Sequence, residues 1–302
     1  MTCTYPEIIC VVGSGRCGSR YLSRMLRDSM DIGFRYEPKF IVPIYRRLYH
    51  FGDLEQPENL RRLCAAILQY LHLYLELPFQ LQEILEQVRE PTYTSVVYAV
   101  FQVVAEKLGK TRLGYKDPAD IVHLPLLAEL LPTSRFVHII RDGRDVALSL
   151  LKFRWGPTNL YCGAQYWAQV VAAGRRDGTQ LGDRYFELRF EDLICDSEHT
   201  AMQLGRFINR DRRADQTEEL VRQINSTKRT NSVQVWTRDM DAGQRYLCEA
   251  AASEVLSSCG YPIEFEGQAR ISLLRAICYS GADLALRIKN RMTRDYPLRV
   301  RG

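Results

Sequence analysis

The sequence predicts an α/β protein built on a doubly wound parallel sheet, with a helical insertion and a C-terminal helical extension. Short apolar runs alternate with segments of helical period, which is the pattern of successive strand–helix–strand units. Residues 8–12 form a continuous apolar run instead of an alternating one, as expected for a parallel strand covered on both faces. Between residues 57 and 108 the apolar residues follow a helical period, which predicts the insertion.

The elements follow one another in the order that this fold requires. Strands are expected at residues 8–12, 33–36, 111–115, 135–140 and 185–190. Helices are expected at residues 20–29, 60–75, 79–89, 95–108, 121–131, 142–154, 161–176 and 197–208. We place a main domain at residues 1–265, with the insertion at about 53–110, and a basic helical extension at residues 266–302.

Charge is unevenly distributed along the 302 residues. The formal net charge is +5, but eight basic and two acidic residues after residue 269 contribute +6, which leaves −1 for residues 1–269. A near-neutral body argues against a protein that binds nucleic acid. The basic extension also carries apolar residues at helical spacing, so it fits a helix packed on the domain, a peripheral membrane contact or a contact with an acidic partner.

Nine cysteines are scattered through the chain without a C-x-x-C pair. This usage indicates a reducing compartment and argues against a zinc site or a disulfide framework. No stretch reaches the roughly 20 apolar residues of a membrane span, and the first residues lack the pattern of a signal peptide. We therefore expect a cytoplasmic protein without a bound metal.

Residues 13–19, with the sequence GSGRCGS, connect the first strand to a helix. Backbone N–H groups at such a turn, together with the helix dipole, bind phosphate-like anions. Gly13 and Gly18 have the spacing of a P-loop, but Ser19 replaces its lysine and Arg20 replaces the hydroxyl residue that holds magnesium. The loop is therefore suited to an anion and poorly suited to a magnesium triphosphate. A purely structural turn is the alternative.

A second anion site is predicted where the strand at residues 135–140 runs into Arg141. Ligands of open α/β sheets bind at the carboxyl ends of the strands. Ser149 lies about two helical turns further on, so the two side chains can converge on one anion. Two anion sites without a magnesium motif indicate a donor that carries separated phosphates.

At these two segments the sequence resembles the PAPS-dependent sulfotransferases, whose donor is 3′-phosphoadenosine-5′-phosphosulfate. GSGRCGSRY is similar to the family's loop for the 5′-phosphosulfate, and RDGRDVALS matches its 3′-phosphate motif R-D-x-R-x-x-x-x-S. The resemblance spans roughly residues 8–262 and is closest to the branch that includes the tyrosylprotein sulfotransferases. It implies a P-loop-like sulfotransferase fold and transfer of a sulfuryl group from PAPS to a hydroxyl, with release of the desulfated donor, PAP.

The resemblance also implies roles for individual residues. Glu37 would be the general base, while Arg16 and Lys116 would stabilise charge on the leaving phosphate and on the transferring group. Arg141 and Ser149 would hold the 3′-phosphate. The other donor contacts implied are Gly15, Cys17, Gly18, Ser19, Arg20, Ser226 and Arg229, together with the backbone of Arg16.

The late part of the chain departs from the family pattern. Val235 stands where the family has a lysine beside a tryptophan, and Arg229 or Arg238 is a candidate to compensate. Phe190 replaces a tyrosine near the donor. The dipeptide at 226–227 matches the family's Ser-Thr, although it lies closer to the following tryptophan.

Four further side chains carry expectations of their own. Arg144 is expected to pair with a carboxylate, and His138, inside a strand, to lie in the core. His123 is the second candidate for the base. Cys17, at the start of a helix, is a passive loop residue or a redox-sensitive thiol.

The motifs do not specify the acceptor. A peptide tyrosine, a carbohydrate, a lipid and a small alcohol or phenol all remain. Two other functions also fit the sequence: a P-loop kinase or nucleotidase with a degenerate loop, and a catalytically silent nucleotide-binding module. Donor preference separates the first of these from a sulfotransferase, because a sulfotransferase binds PAP without Mg²⁺ and a kinase binds ATP–Mg²⁺.

Overall fold

A five-stranded parallel sheet organises the protein. The computed structural model describes residues 5–35, 37–74, 78–209, 214–227 and 230–292. The strands are β1 (Ile8–Gly13), β2 (Ile32–Gly33), β3 (Arg112–Lys116), β4 (Arg135–Ile140) and β5 (Tyr185–Arg189). Their order in the sheet is β2-β3-β1-β4-β5, and β1 pairs in parallel with both β3 and β4. The α/β fold with a doubly wound parallel sheet is confirmed.

Fourteen α-helices form within the described ranges. They are α1 (Ser19–Ser29), α2 (Ile41–Tyr45), α3 (Pro57–Tyr74), α4 (Leu81–Gln87), α5 (Tyr93–Lys107), α6 (Leu124–Leu130), α7 (Gly143–Leu150), α8 (Leu160–Thr179), α9 (Phe190–Cys195), α10 (Ser197–Ile208), α11 (Ala214–Ser226), α12 (Val235–Asp239), α13 (Ala242–Ser258) and α14 (Leu273–Met292). The helical insertion corresponds to α3–α5, and the C-terminal extension contains α14.

Several elements, among them the following three, differ from their predicted bounds. The helix predicted at 121–131 begins only at Leu124, because Pro125 suits a first helical turn and residues 118–123 form a 3-10 turn before it. The helix predicted at 142–154 ends at Leu150, and the chain folds back so closely that a Cβ on Gly156 would lie 2.6 Å from the Leu150 carbonyl oxygen. The strand predicted at 33–36 is reduced to β2, and Tyr36 lies outside the described residues.

The chain divides into two compact units. The first comprises Met1–Gly13, Gly18–Ile139 and Gly174–Lys228, and the second comprises Ser14–Cys17, Ile140–Ala173 and Arg229–Gly302. This division into units does not test the domain boundary predicted at residue 265, which stays a prediction.

Within the first unit the insertion packs on the sheet. Helix α5 lies against β2 and β3, α4 packs on α5, and α3 packs on α4. Two glycines allow the close approach: a Cβ on Gly33 would lie 2.9 Å from the Cα of Ala105 in α5, and a Cβ on Gly114 would lie 2.8 Å from the Phe34 ring. Larger residues at these two strand positions would push the layers apart.

The strand order creates a switch point between β1 and β4. The chain leaves β1 towards β2 and β3, and it leaves β4 towards β5 on the other side. The register pairs Gly13 with Ile139 and Val11 with Lys116, so the carboxyl ends of three central strands share one edge. Ligands of open α/β sheets bind at such an edge.

The second unit contains a fully buried arginine. Arg144 has no exposed surface. Its guanidinium donates to both carboxylate oxygens of Asp142 at 3.0 and 2.8 Å and to Glu249 at 2.9 Å. It also lies 3.6 Å from the centre of the Trp236 ring. The predicted pairing of Arg144 with a carboxylate is confirmed.

The two carboxylates extend this arrangement to other elements. Asp142 accepts the N–H of Arg144 at 2.9 Å and thereby caps α7. Glu249, in α13, accepts the backbone N–H groups of Glu264 and Phe265 at 2.8 to 3.1 Å. Because each buried charge is paired, removal of the guanidinium would leave two carboxylates without their cation.

We expect Arg144→Met to lower the free energy of unfolding by about 3–5 kcal/mol, since a buried ion-pair network is broken from one side. Urea denaturation measures the loss. The control is Arg238→Met, which removes an arginine that is 65% exposed and paired with Asp239; it should leave the unfolding free energy unchanged. Equal stability of the two variants would contradict the assignment.

Candidate functional site

The loop after β1 makes a sharp turn before α1 begins. Arg16 and Gly18 adopt left-handed backbone conformations, with φ angles of 68° and 96°. A Cβ on Gly18 would lie 2.4 Å from the Phe190 ring, so only glycine fits there. Gly18 is the N-cap of α1 and offers no side-chain cap. The first turn of α1 therefore resembles the helix starts that bind anions in other proteins.

The Arg16 side chain lies on the second predicted anion-binding element. Its Nε donates to Ser149 Oγ at 3.0 Å, and its guanidinium lies 4.5 Å from the centre of the Phe153 ring. Arg141 donates to the backbone oxygen of Arg16 at 3.3 Å. All four residues belong to the second unit. The two predicted anion-binding elements are thus in direct contact there.

Arg141 is held in place by backbone and carboxylate groups. Its Nη2 donates to the Ser232 carbonyl at 2.7 Å and to Asp145 Oδ2 at 3.2 Å. The other oxygen of Asp145 accepts the Trp236 N–H at 2.8 Å. Burial raises the pKa of Asp145, while Arg141 and the Trp236 N–H oppose that rise. We call Arg16, Arg141, Asp145 and Ser149 the Arg16 cluster. It contains two guanidinium groups and one carboxylate, so its charge suits the binding of an anion.

The remaining loop residues vary in exposure. Cys17 and Ser19 are buried, and Arg20 is exposed. A Cβ added to Gly15 would lie 3.8 Å from the Trp155 ring. Ser14 was not among the predicted residues. Its hydroxyl is fully buried and has no hydrogen-bond partner among the described residues. The only sequence signal for it is a small polar residue between two loop glycines.

Glu37 and Lys116 meet in the first unit. Lys116 Nζ donates to Glu37 Oε1 at 3.0 Å, and Lys39 Nζ lies 3.3 Å from Glu37 Oε2. The Lys116 side chain is 4% exposed, whereas that of Lys39 is 45% exposed. Lys39 was not predicted, and its backbone is left-handed, with φ 52°. Each oxygen of the candidate base therefore faces an ammonium group.

The two lysines set the ionisation of Glu37. Burial is the largest single influence and raises the pKa of this carboxyl. The combined attraction of Lys116 and Lys39 outweighs burial, so the net pKa of Glu37 is lowered. Glu37 is therefore a carboxylate at neutral pH.

The neighbouring acid has the opposite behaviour. Asp117 is 3% exposed, and its Oδ1 has no hydrogen-bond partner among the described residues. Burial, followed by repulsion from Asp120 and Glu37, raises the pKa of Asp117 to about 8. Asp120 accepts a hydrogen bond from the Tyr115 hydroxyl, and burial raises its pKa as well. The Glu37 cluster (Glu37, Lys39, Lys116, Asp117 and Asp120) thus combines an ionised carboxylate with a protonated carboxyl.

The two histidines of the sequence analysis lie in different surroundings. His138 is buried, and its Nδ1 lies 2.6 Å from the Tyr185 hydroxyl. Burial lowers the pKa of His138 to about 3, so this ring is a neutral core group, as predicted. His123 ends the 3-10 turn and lowers the pKa of Asp120 through its charge. Its role as an alternative base stays a prediction.

The candidate donor-binding residues late in the chain lie partly within the described ranges. Ser226 is exposed, and its hydroxyl donates to the Gln223 carbonyl of its own helix at 3.0 Å. Thr227, in contrast, lies 3.2 Å from the hydroxyl of Tyr21 in α1. Arg229 lies outside the described residues. Arg238 pairs with its neighbour Asp239 at 2.8 Å.

Two structural features, a metal-binding group and a membrane-spanning helix, are absent from the described residues. Among these residues, no three or more His, Cys, Asp and Glu side chains are grouped so that they could hold a metal ion. No helix of the described chain combines the length and the apolar character needed to cross a bilayer.

Lys39→Gln should raise the pKa of Glu37, because one of the two opposing charges is removed while the burial remains. A carbon-13 NMR titration of the glutamate carboxyl groups measures this, with Glu37→Gln used to assign the signal. Lys110→Gln removes the ion pair with Asp31, which spans 3.6 Å, and should leave the pKa of Glu37 unchanged. A Glu37 pKa that is the same in the Lys39 variant and in the wild type would refute the assignment.

Asp117→Asn should flatten the pH dependence of stability. Asp117 holds its proton up to about pH 8 in the folded chain, while its ordinary pKa is 3.8. The folded state therefore binds more protons than the unfolded state between these values, and stability falls as pH rises through that window. Urea unfolding at a series of pH values should show a smaller fall in the variant.

The control for this series is Asp239→Asn, at a carboxylate that is 42% exposed. Its unfolding free energy should follow the wild-type slope with pH. If the Asp117 variant kept the wild-type slope as well, the assignment of Asp117 as a buried, protonated carboxyl would be wrong.

Comparison with solved structures shows the fold of this chain in a sulfotransferase domain. The sulfotransferase domain from the curacin biosynthetic pathway superposes with a TM-score of 0.55 at 17% identity, over 86% of this chain and 100% of that one. The sulfotransferase domain from the Synechococcus PCC 7002 olefin synthase gives a TM-score of 0.49 at 18% identity, over 87% of this chain and 98% of that one. A sulfotransferase from Mycobacterium avium gives 0.48 at 12% identity, over 87% and 79% of the two chains.

Sequence comparison identifies the family. No curated protein matches the chain. Residues 6–215 match the sequence pattern of the sulfotransferase family, and this stretch includes β1 to β5 and both candidate clusters. Since the match covers well over half of the 302 residues, the chain belongs to the sulfotransferase family and is a transferase.

Proposed function

We propose that this sulfotransferase moves a sulfuryl group from PAPS to an acceptor hydroxyl and releases PAP. The observation that supports this most directly is the contact of Arg16 with Ser149 and Arg141 in the second unit. It joins the two segments that resemble the family's 5′ and 3′ donor motifs. Guanidinium groups, a hydroxyl and a helix start are the groups with which proteins bind phosphates.

The charges of the Arg16 cluster are consistent with a donor that carries several phosphate oxygens. In the proposed complex, Arg141 and Ser149 hold the 3′-phosphate. Arg16 and the loop residues Gly15–Arg20 neutralise the charge that develops on the leaving 5′-phosphate. The Ser149 hydroxyl accepts a hydrogen bond from Arg16, so its own proton can be donated to a phosphate oxygen. A metal is less necessary than in phosphoryl transfer, because a sulfuryl group bears less negative charge than a phosphoryl group.

The Glu37 cluster supports the assignment of Glu37 as general base. A hydroxyl is a weak nucleophile at neutral pH, so a base within hydrogen-bond reach is needed. The ionised Glu37 takes the acceptor proton while the acceptor oxygen bonds to sulfur and the bond from sulfur to the phosphate oxygen breaks. Lys116 stabilises the transferring group by its positive charge. The buried Asp117 carries its proton at neutral pH and adds no negative charge there.

The acceptor is proposed only as a class. A hydroxyl on a peptide tyrosine, a carbohydrate, a lipid or a small alcohol or phenol satisfies the proposed chemistry. The combination of Arg16, Glu37 and Lys116 favours the tyrosylprotein-like branch slightly, and a cytoplasmic location is part of the same proposal. The alternative kinase is disfavoured by Ser19, which stands where a P-loop has its lysine.

Two measurements separate donor binding from chemistry. PAP should bind without Mg²⁺ in calorimetry, and Arg141→Gln should weaken that binding by roughly 10- to 100-fold, as for lost hydrogen bonds to a charged group. Glu37→Gln should keep PAP binding but lower kcat for transfer from radiolabelled PAPS to a panel of acceptors by roughly 100- to 10,000-fold. Arg222→Gln, at an arginine that is 72% exposed, is the matched control for both.

Three outcomes would overturn the proposal. Binding of ATP–Mg²⁺ in preference to PAP would indicate a kinase or nucleotidase. PAP binding without transfer to any acceptor would indicate a silent nucleotide-binding module. Full activity of the Glu37 variant would remove Glu37 from the reaction.

A further inference from the structure

Helix α14 is attached to the second unit by one side. Asp283 accepts the backbone N–H of Thr158 at 2.6 Å and the Thr158 hydroxyl at 3.0 Å. Asn159 donates to the Tyr279 carbonyl at 3.1 Å, and the Tyr279 ring stacks on Tyr161 with the centres 5.6 Å apart. The attached side therefore contains Tyr279 and Asp283, and its contacts are polar or aromatic.

The opposite side of α14 is apolar and exposed. Of the twelve exposed large hydrophobic residues in the described chain, six lie on this single helix. Five of them form a stripe about 100° wide that faces away from Tyr279 and Asp283, at about 100° of rotation per residue. We call this the Ile277 stripe; its members are Leu273, Leu274, Ile277, Leu284 and Ile288, which are 49–76% exposed. Scattered exposed leucines are ordinary, but five large apolar residues on one face of a single helix mark a contact surface.

Basic residues accompany the stripe. The helix contains four basic residues, Arg275, Arg287, Lys289 and Arg291, and one acidic residue, Asp283, which is only 7% exposed. By helical rotation Lys289 lies beside one edge of the stripe and Arg287 beside the other. Residues 293–302 add three arginines and one aspartate to the sequence. The exposed charge that this helix carries is therefore positive.

We infer that α14 lies on a membrane surface that contains anionic lipids, with the Ile277 stripe in the acyl boundary and the basic residues at the headgroups. An anionic bilayer places an apolar acyl layer beside negatively charged headgroups. The apolar stripe and the basic residues of this helix match these two layers. A second copy of the chain is disfavoured, because it would bring one segment of net charge +6 against another. The contact would bring the transferase to a lipid surface.

Vesicle binding by the full chain tests this inference. Sedimentation should show binding to vesicles of phosphatidylcholine with phosphatidylglycerol and weak binding to phosphatidylcholine alone. Arg287→Gln combined with Lys289→Gln should weaken binding by roughly tenfold or more, since each charge near the surface contributes. Ile277→Ser with Leu284→Ser should weaken it by more than about tenfold through lost apolar contact. Both side chains are at least 57% exposed, so the fold should be unaffected.

A matched control separates the stripe from general surface hydrophobicity. Leu73→Ser with Met202→Ser replaces two residues that are 71% and 41% exposed and lie in the first unit; vesicle binding should be unchanged. Equal binding to both vesicle types, or no binding to either, would overturn the inference. So would a dimer in analytical ultracentrifugation that the Ile277 and Leu284 substitutions dissociate, because the stripe would then be an interface between two copies. PAP binding is independent of these results.

Discussion

The position of β1 beside β4 in a parallel sheet is the constraint on which the candidate donor site depends. The register pairs Gly13 with Ile139, so the chain leaves two neighbouring strands at the same edge. One exit leads to Arg16 and the other to Arg141, residues that are 125 positions apart yet share a hydrogen bond in the second unit. Local propensity cannot bring such segments together. The sheet does so, because parallel neighbours end on the same side and their connections diverge at the switch point.

Burial then gives the two arginines of the R-D-G-R-D segment different tasks. Arg144 is fully buried, and Asp142 and Glu249 bind its guanidinium, so its contribution is to stability. Arg141 keeps 13% of its side chain exposed and has Asp145 as its acidic neighbour. An anion can approach Arg141 without the desolvation that any ligand of Arg144 would require. Both arginines stand next to an aspartate in the sequence, and their burial separates the structural cation from the candidate binding one.

The difference between a sequence pattern and three-dimensional packing also explains which features could be predicted from the sequence. The strands and most helices were predictable because their apolar periods are long and unbroken, and matched motifs named Glu37 and Lys116 as separate candidate residues, though not their ion pair. Lys39 and Ser14 were missed because no period or motif marks them. Lys39 contacts Glu37 from a residue with a left-handed backbone, and the lack of a partner for the Ser14 hydroxyl among the described residues is a property of packing. The raised pKa of Asp117 likewise depends on burial, which a sequence does not state.

In the proposed reaction the two lysines of the Glu37 cluster are not equivalent. An acceptor hydroxyl needs one oxygen of Glu37, and both oxygens are paired. Lys116 is almost completely buried, so breaking its ion pair with Glu37 would take a carboxylate partner from a buried charge. Lys39 is 45% exposed, so water can replace Glu37 as its partner at little cost. The oxygen that opens to the acceptor is therefore Oε2. Lys116 stays beside Glu37, and with Asp117 protonated its charge remains available to the negative charge that develops during transfer.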